Sequence, residues 1–553
     1  MSVSRQVLSS HFAAVPSSQI QRSKFDRSSC HKTTFNSGYL IPFFCDEVLP
    51  GDVFDLNATF MARLSTPVVP VMDNANLMTE FFFVPSRLVW DHFQNFMGEQ
   101  RNPDDSTDFF VPTINSGVDG FGELSLADYF GIPTKVPNLE VNALPFRAYN
   151  LIWNQWYRDE NLQDSVIENF SDSDSKENYQ LLRRNKVHDY FTSALPWPQK
   201  GEAVNVPLVG QVPVFGTAAG TLSTGADFNA LSVKANGELS MLDVDSTGSI
   251  VFDSSTSTSK GKVLEMAQKS DFPFTKGVRT FTGTGLEADL SQGTFGPTIN
   301  SLREAFQLQR LLERDARGGT RYTEIIRSHF GTISPDARLQ RAEYLGGSSS
   351  PLVIHPVEQT SSTDGTTPQG NLAAFGTVAG SGHGFRKSFT EHGYVIGLVS
   401  VRSSLSYQQG LNKMWSRKTR YDFYWPSLAH LGEQAVLNRE IYAQGESVKD
   451  SDGESYDSKV FGYQERYAEY RYKPSLVTGL MRSNSELPLD VWHLAQNFGS
   501  LPKLNAGFIT ENAPFERVLA EHTQPQFIMD SYIRFHCYRP MPVYSVPGLI
   551  DHF

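Results

Sequence analysis

Cysteine is nearly missing from this sequence: Cys30, Cys45 and Cys537 are the only three in 553 residues, and none stands in a C-x-x-C pair. Three cannot staple a chain this long, and so low a count suits maturation in a reducing compartment. Long apolar runs are missing too. No stretch approaches the roughly 20 residues that span a bilayer, and no apolar run follows the first basic residue. Neither an anchor nor a signal peptide is expected, and the expectation is a chain made and folded as a soluble cytoplasmic protein, without membrane insertion. Charged residues make up only 20% of the chain, and no Pro/Gly/Ser linker separates two comparable halves. A chain beyond the usual single-core size without such a linker is expected to be one domain with large insertions.

Catalytic signatures are absent as well. There is no H-E-x-x-H, no G-x-S-x-G and no G-x-G-x-x-G. The nearest phosphate-loop candidate, AGSGHGFRKS from Ala379, has Arg386 where a glycine must precede Lys387, so it reads as a turn entering a strand. Asp243, Asp245, Thr247 and Gly248 fit the opening of a calcium loop, but its twelfth position is Ser254 instead of the bidentate glutamate. A plain turn fits those residues equally, and Asp243 and Asp245 are the only metal candidates. The 13 histidines form no i, i+4 pair, and no cofactor is expected. Nothing in the spacing of the carboxylates shows which pairs converge.

What the chain has in quantity is aromatic surface, with 39 Phe and 21 Tyr, and strand-like alternation. Phe54, Leu56, Ala58, Phe60, Ala62 and Leu64 fall on one face of a strand, with polar neighbours on the other. Tyr394 to Val401 is apolar at nearly every position and reads as a strand covered on both faces. Ile533, Phe535 and Cys537 alternate near the C-terminus; Tyr39 to Phe44 and Met78 to Val84 are also β-rich. Strands at both ends of one chain imply long-range antiparallel pairing, with helices and loops inserted between.

Those insertions carry the expected helices: Ser86 to Met97, Leu144 to Asn161, and a segment from Ile299 that Gly318 and Gly319 end. Arg310, Arg314, Arg317 and Arg321 form a basic stripe that phosphates or nearby carboxylates could occupy. From Thr217 to Gly296 the composition turns Ser/Thr/Gly-rich, as in a surface projection or a linker. Met1 to Lys32 carries Arg5, Arg22, Lys24, Arg27 and Lys32 against Asp26, a balance of +4, which leaves −16 for the rest of a chain of net charge −12. A basic arm on an acidic body reads as a tail facing nucleic acid, or as an ordinary solvated terminus.

In Phe461 to Ser483, Phe461, Tyr463, Tyr467, Tyr470 and Tyr472 interleave with Arg and Glu, the composition of a surface covered by another protein or of an amphipathic strand with one wet face. That stretch, together with WDHFQNFMGEQ from Trp90, LPFRAYNLIWNQWYRDENLQD from Leu144, the segment from Glu304 to Ser348 and that from Tyr407 to Tyr442, resembles the major capsid proteins of microviruses, in their gokushovirus branch. The resemblance covers most of Ser23 to Phe553 and gives no residue match between about Thr217 and Gly296.

It implies a mainly β fold: an eight-stranded antiparallel jelly-roll coat barrel spanning 33–553 with large helix- and loop-containing insertions. The segment 217–296 would be a threefold protrusion used in attachment to a host receptor, and 1–32 a basic arm. It further implies a homo-oligomeric icosahedral shell, built via pentamers, around circular single-stranded DNA with a small basic packaging protein, in virions assembled in the host cytoplasm. The five basic arm residues would face DNA and the five aromatics would meet other copies. Two other readings fit parts of the composition: a carbohydrate-binding β-sandwich or adhesin, and a sugar hydrolase using two carboxylates.

Overall fold

The structure, a computed structural model, describes residues 21–205, 298–361 and 368–544, together with the backbone of short strands between 206 and 297. Ten strands carry the architecture: β1 (Ser23–Asp26), β2 (Ser29–Phe35), β3 (Ile41–Val48), β4 (Val53–Leu64), β5 (Ala75–Pro85), β6 (Glu343–Pro351), β7 (Val353–Glu358), β8 (Leu372–Ser388), β9 (Gly393–Ser403) and β10 (Phe527–Arg539). The alternation read in 53–64 sets the first sheet. Phe54, Leu56, Ala58, Phe60, Ala62 and Leu64 are all buried, while β4 pairs with β10 on one side, from Phe527↔Leu64 to Tyr538↔Val53, and with β8 on the other. β1 and β2 follow one another along the far edge of β10, and β7 pairs with β8. The second sheet runs β6-β5-β9-β3, and all these pairings are antiparallel.

The two sheets enclose a Phe-rich core. Phe54 meets Phe535 edge-on at 4.8 Å, Phe81 meets Phe385 at 5.3 Å, and Phe44 meets Phe535 at 5.4 Å. Such tilted pairs add about 0.5–1.5 kcal/mol each beyond the area they bury. The second sheet is covered on its other face as well, which explains why Tyr394 to Val401 is apolar throughout. Helix α1 (Leu144–Ile152) and the segments around Trp90, Ile114 and Tyr179 pack on Phe82, Ile396 and Leu398. Tyr149 ties this layer down: its hydroxyl donates to the Leu40 carbonyl at 2.9 Å and accepts from the Leu182 N–H at 3.0 Å. Arg147 and Asp174 form a fully buried pair at 2.7 Å, tolerable because the guanidinium also donates to the carbonyls of Val89 and Ser171.

Two helix expectations need correction. Ser86 to Met97 holds only a 3₁₀ turn, Ser86–Leu88, and one α-turn, Phe93–Phe96. The Trp90 indole is drawn into the core and donates to Asp172 at 2.7 Å, and the Asp91 N–H goes to the Phe170 carbonyl, which takes the backbone out of a helical path. Beyond Ile152, α1 widens into a π-turn, Trp153–Tyr157, and stops. Helix α2 (Ile299–Arg317) ends where expected, with the Gly318 N–H on the Arg314 carbonyl at 2.7 Å and Gly319 at φ +91.

Two compact units divide the chain, Met1–Glu202 with Leu311–Phe553, and Ala203–Arg310. In the second, Leu231–Ala235 pairs with Glu238–Leu242 and with Glu265–Met266, and Leu286–Ala288 with Val214–Gly216. Most of the expected 217–296 projection, including Asp243, Asp245 and the β-like piece 248–252, lies outside the described residues. Among the described residues no cluster of metal-ligating side chains forms, and no helix is long and apolar enough to cross a membrane.

One imidazole is sealed inside the sandwich. His383, at the β8 bulge, lies with Nδ1 2.6 Å from Thr79 Oγ1 and Nε2 3.0 Å from Ser350 Oγ, against the Phe60 ring. None of these neighbours offers a charge, and burial holds the imidazole below its ordinary 6.5. The unfolded chain therefore takes up the proton first, and stability falls as pH drops below 6.5. His31 is depressed in the same direction. His383→Gln should flatten part of this acid loss, read as a smaller difference between urea midpoints at about pH 7.5 and about pH 5.5 than in the parent chain. An unchanged difference would exclude His383 as the source.

Candidate assembly interface

A third core cluster lies apart from the sandwich and is built from Tyr190, Phe191, Tyr407, Val436, Ile441 and Phe461, with Phe508 and Ile509 closing it. Its frame is an antiparallel pair, Glu433–Leu437 against Val460–Glu465. At the end of that pair Tyr467 adopts a left-handed backbone, φ 63, and a 3₁₀ turn, Ala468–Tyr470, follows. A left-handed tyrosine costs of order 1–3 kcal/mol and persists only where packing over-determines it. Here Tyr467 is 4% exposed and packs edge-on against Tyr424 at 5.2 Å. Its hydroxyl is buried without a hydrogen-bond partner.

The segment 411–427 crosses this cluster with almost every side chain in solvent. Its backbone is held by single turns, Lys413–Ser416, Arg420–Asp422 and Pro426–Leu428, and by local caps. Asn412 accepts from the Met414 N–H at 3.0 Å, and the Asp422 carboxylate accepts from the N–H groups of Lys418 and Thr419. Arg417 is the keystone. It pairs with Glu469 at 3.1 Å, both largely buried, while its guanidinium lies 4.4 Å from the Tyr470 ring centroid and 5.4 Å from that of Phe423. Arg420 lies over Tyr421 and Trp425, and the Trp425 indole donates to the Arg420 carbonyl at 2.8 Å. The result is a firm surface of Trp415, Tyr421, Phe423, Tyr424, Trp425 and Tyr470, with Trp415 71% exposed. Large exposed apolar patches on a soluble chain mark interaction sites, whereas apolar residues scattered singly need no explanation.

Beneath it is a cavity of about 80 Å³ bounded by Tyr190, Tyr407, Lys413, Glu440, Glu469 and Tyr472. That volume is far below the roughly 300–1,000 Å³ of small-molecule sites. Tyr190 donates to Glu440 at 2.8 Å and Tyr407 to Asp189 at 2.6 Å. Burial, then the adjacent carboxylates, pushes both phenols far up, so they remain neutral donors in a structural network.

The structure divides the aromatics singled out in 461–483. Phe461 and Tyr467 belong to the chain's own core and not to a surface left for another protein. Tyr463 is half-buried, its N–H bonded to Leu195, whereas Tyr470, at 52% exposure, and Tyr472 face solvent. Four of the five basic residues assigned to the arm are engaged by the folded chain. Arg22 donates to the Gly51 carbonyl, Lys24 lies over Tyr538, Arg27 pairs with Asp46, and Lys32 pairs with Asp530 at 2.5 Å. Arg5 lies outside the described residues. In the arginine stripe, Arg317 pairs with Glu433 and Arg321 with Glu160, so carboxylates occupy these two. The exposed run 411–427 went unrecognised as a surface because it has neither helical nor strand period; its five aromatics between Trp415 and Trp425 were the available signal.

The chain matches the capsid protein (F protein) family over residues 13–549. It belongs to that family. It is 48% identical to the capsid protein VP1 of Bdellovibrio phage phiMH2K over 551 residues, 98% of each chain. It is 46% identical to that of Chlamydia phage 1 over 590 aligned positions, again 98% of each. With the capsid protein VP1 of Spiroplasma virus 4 it shares 38% over 566 positions, 97% of each chain. These relationships bear out the resemblance to microvirus capsid proteins. As a member of the F protein family the chain is a structural protein of the virion and not an enzyme, in keeping with its lack of catalytic signatures.

Family membership also gives the quoted segments a structural meaning. The Trp90 run seals the second cluster, the Leu144 run becomes α1 and its π-turn, and the Tyr407 run carries the exposed aromatic surface. Because Tyr467 and Tyr470 differ in burial, they should separate by mutation. Tyr467→Ala should cost about 3–5 kcal/mol of stability, as buried aromatic truncations do. Tyr467→Phe should be neutral or slightly stabilising, since it removes an unpaired buried hydroxyl. Tyr470→Ala should stay within about 1 kcal/mol of the parent. Denaturant melts of the unassembled chain check all three, and equal losses for Tyr467→Ala and Tyr470→Ala would contradict the burial.

Proposed function

We propose that this chain is a major capsid protein that self-assembles into an icosahedral shell around a circular single-stranded DNA genome. The observation that carries the reading is the uncovered aromatic face of 411–427 and Tyr470 on a chain whose whole length matches capsid proteins. Burying such a face between copies gives many modest contacts that symmetry multiplies. The coat domain is a jelly roll. Numbered one to eight along the chain, β2, β3, β4, β5, β6, β8, β9 and β10 give sheets ordered 1-8-3-6 and 2-7-4-5. The pairs 1·8, 2·7, 3·6 and 4·5 are those of one long antiparallel hairpin wrapped on itself, which supports this reading. On it, the barrel begins with β2, a few residues before 33, and β7 is an added edge strand.

The insertion 217–296 serves host attachment, and the shell grows from pentamers together with a small basic packaging protein. Support for the insertion's role is its polar, turn-rich composition. The N-terminal segment faces the genome. Of its basic residues, Arg27 and Lys32 already have carboxylate partners, so they contribute less to phosphate than Arg5, Arg22 and Lys24. Electron microscopy of purified protein should show uniform small spheres, and Trp415→Ala with Tyr470→Ala should abolish them while leaving soluble, folded chain. Normal particles from that double variant would remove the carrying observation. Salt titration of single-stranded DNA binding gives a second check. Five free phosphate contacts imply a slope of roughly −3.5 and three contacts about −2.1 in log affinity per log salt. A 1–32 peptide should approach the first value and the full chain the second, and binding insensitive to salt would take the N-terminal segment away from DNA.

A further inference from the structure

The aromatic face is net basic. From Lys413 to Trp425 the chain holds Lys413, Arg417, Lys418 and Arg420 against Asp422, a balance of +3. Lys413 and Arg417 are paired within the chain, to Glu440 and Glu469. Lys418 and Arg420 are exposed and make no ion pair among the described residues.

A second surface has the opposite character. The excursion from Phe93 to Phe110 leaves the second core cluster and returns to it through Phe109. Along it Phe96, Met97 and Phe110 are exposed, Phe110 by 88%. Its charges are Glu99, Asp104, Asp105 and Asp108 against Arg101, a balance of −3. The Asp105 carboxylate accepts from the N–H groups of Arg101 and Asn102 at 3.0 and 2.9 Å, and Gln100 donates to the Asp105 carbonyl at 2.8 Å, so the loop is shaped before any partner arrives. Glu99, Asp104 and Asp108 are left exposed and unpaired among the described residues.

We propose that these two surfaces are the two halves of one contact between copies of this chain. The basic aromatic face of 411–427 on one copy receives the acidic apolar excursion 93–110 of the next, with Lys418 and Arg420 facing Asp104 and Asp108. The inference rests on the assembly reading above and adds its geometry. The halves sit on different core clusters, and among the described residues no hydrogen bond or ion pair joins them within one chain. Two different patches that complement each other make a heterologous, head-to-tail contact, the kind that closes into rings. Opposite charge at the rims sets register and speeds encounter, while the apolar centres supply the burial. Basic and aromatic side chains together also suit single-stranded DNA, but DNA leaves the matching acidic, equally apolar excursion without an occupant.

Charge reversal tests the pairing. K418E/R420E and D104K/D108K should each lower particle yield by roughly tenfold or more, and the combined four-residue variant should restore it to within about threefold of the parent. Zero-length carbodiimide coupling of parent particles provides a measurement that needs no variant. Mass spectrometry should find Lys418 joined by an amide to Asp104 or Asp108 in the particles and not in unassembled chain; this also decides the matter if a reversed variant fails to fold. Loss without rescue, normal assembly of either reversed variant, or the same amide in unassembled chain overturns the inference and leaves assembly standing. A K418E/R420E variant that assembles but no longer retains single-stranded DNA overturns it too, in favour of a nucleic-acid surface. A parent chain that forms no particles overturns both the inference and the assembly reading.

Discussion

The pairing of β4 with β10 is the constraint on which the rest of this molecule depends. It joins residues 53–64 to residues 527–538 in continuous register, and the neighbouring Lys32–Asp530 contact spans 498 residues of sequence. The closure entropy of so long a loop rises only with the logarithm of its length, about 0.6 kcal/mol per doubling. A chain that can make this one pairing can therefore carry large insertions elsewhere at little further thermodynamic cost. The kinetic consequence is larger, because long-range β pairing is slow. At the end of β10, Arg539 anchors the register. It donates to the fully buried Asp52 at 3.0 Å, in the turn that joins β3 to β4, and Asp52 in turn accepts from the Leu49 N–H at 2.9 Å.

With the first sheet so closed, the central strands of the second, β5 and β9, are enclosed on both faces and their polar groups must be satisfied inside protein. Glu80 on β5 accepts from the Tyr157 hydroxyl at 2.5 Å and pairs with Arg184 at 3.3 Å, and Arg184 also donates to Ser400 at 2.9 Å. The same Tyr157 closes the π-turn after α1, so the covering layer and the sheet are locked by one network. Networks of this kind fix a unique arrangement because leaving any member unpaired in low dielectric is costly.

The aromatic face belongs to neither sheet. Its rings are ordered by what lies at their edges: the buried Arg417–Glu469 pair, the stacked Arg420 and the caps on short turns. Rigid aromatic surface held this way loses little entropy when another surface covers it, the property that lets a modest contact area bind well. The left-handed Tyr467 contributes by turning the chain at the point where core ends and exposed face begins.

The sequence by itself determined the central strands of the two sheets, because a period of two between buried and wet positions survives any tertiary arrangement. Hence Val53–Leu64 and the Ile533 to Tyr538 end of β10 were legible face by face, and the all-apolar Tyr394 to Val401 announced a strand covered on both sides. Helix α2 was legible to its terminal glycines for the same kind of local reason. Tertiary structure alone decided what aromatic and charged side chains do. Whether a tyrosine is core or surface depends on what lies across from it, so Phe461 and Tyr467 went inward while Tyr470, three residues beyond Tyr467, stayed out. Burial of Trp90 overrode the helical composition of Ser86 to Met97. Carboxylates on other strands captured Arg27 and Lys32, charges that composition read as an arm facing nucleic acid, and Glu433 settled Arg317 on the carboxylate side of the two readings open to the arginine stripe. Local periodicity is written in neighbouring residues, whereas the partner of a ring or a charge can come from anywhere along the chain, 19 residues away for Arg27 and 498 for Lys32.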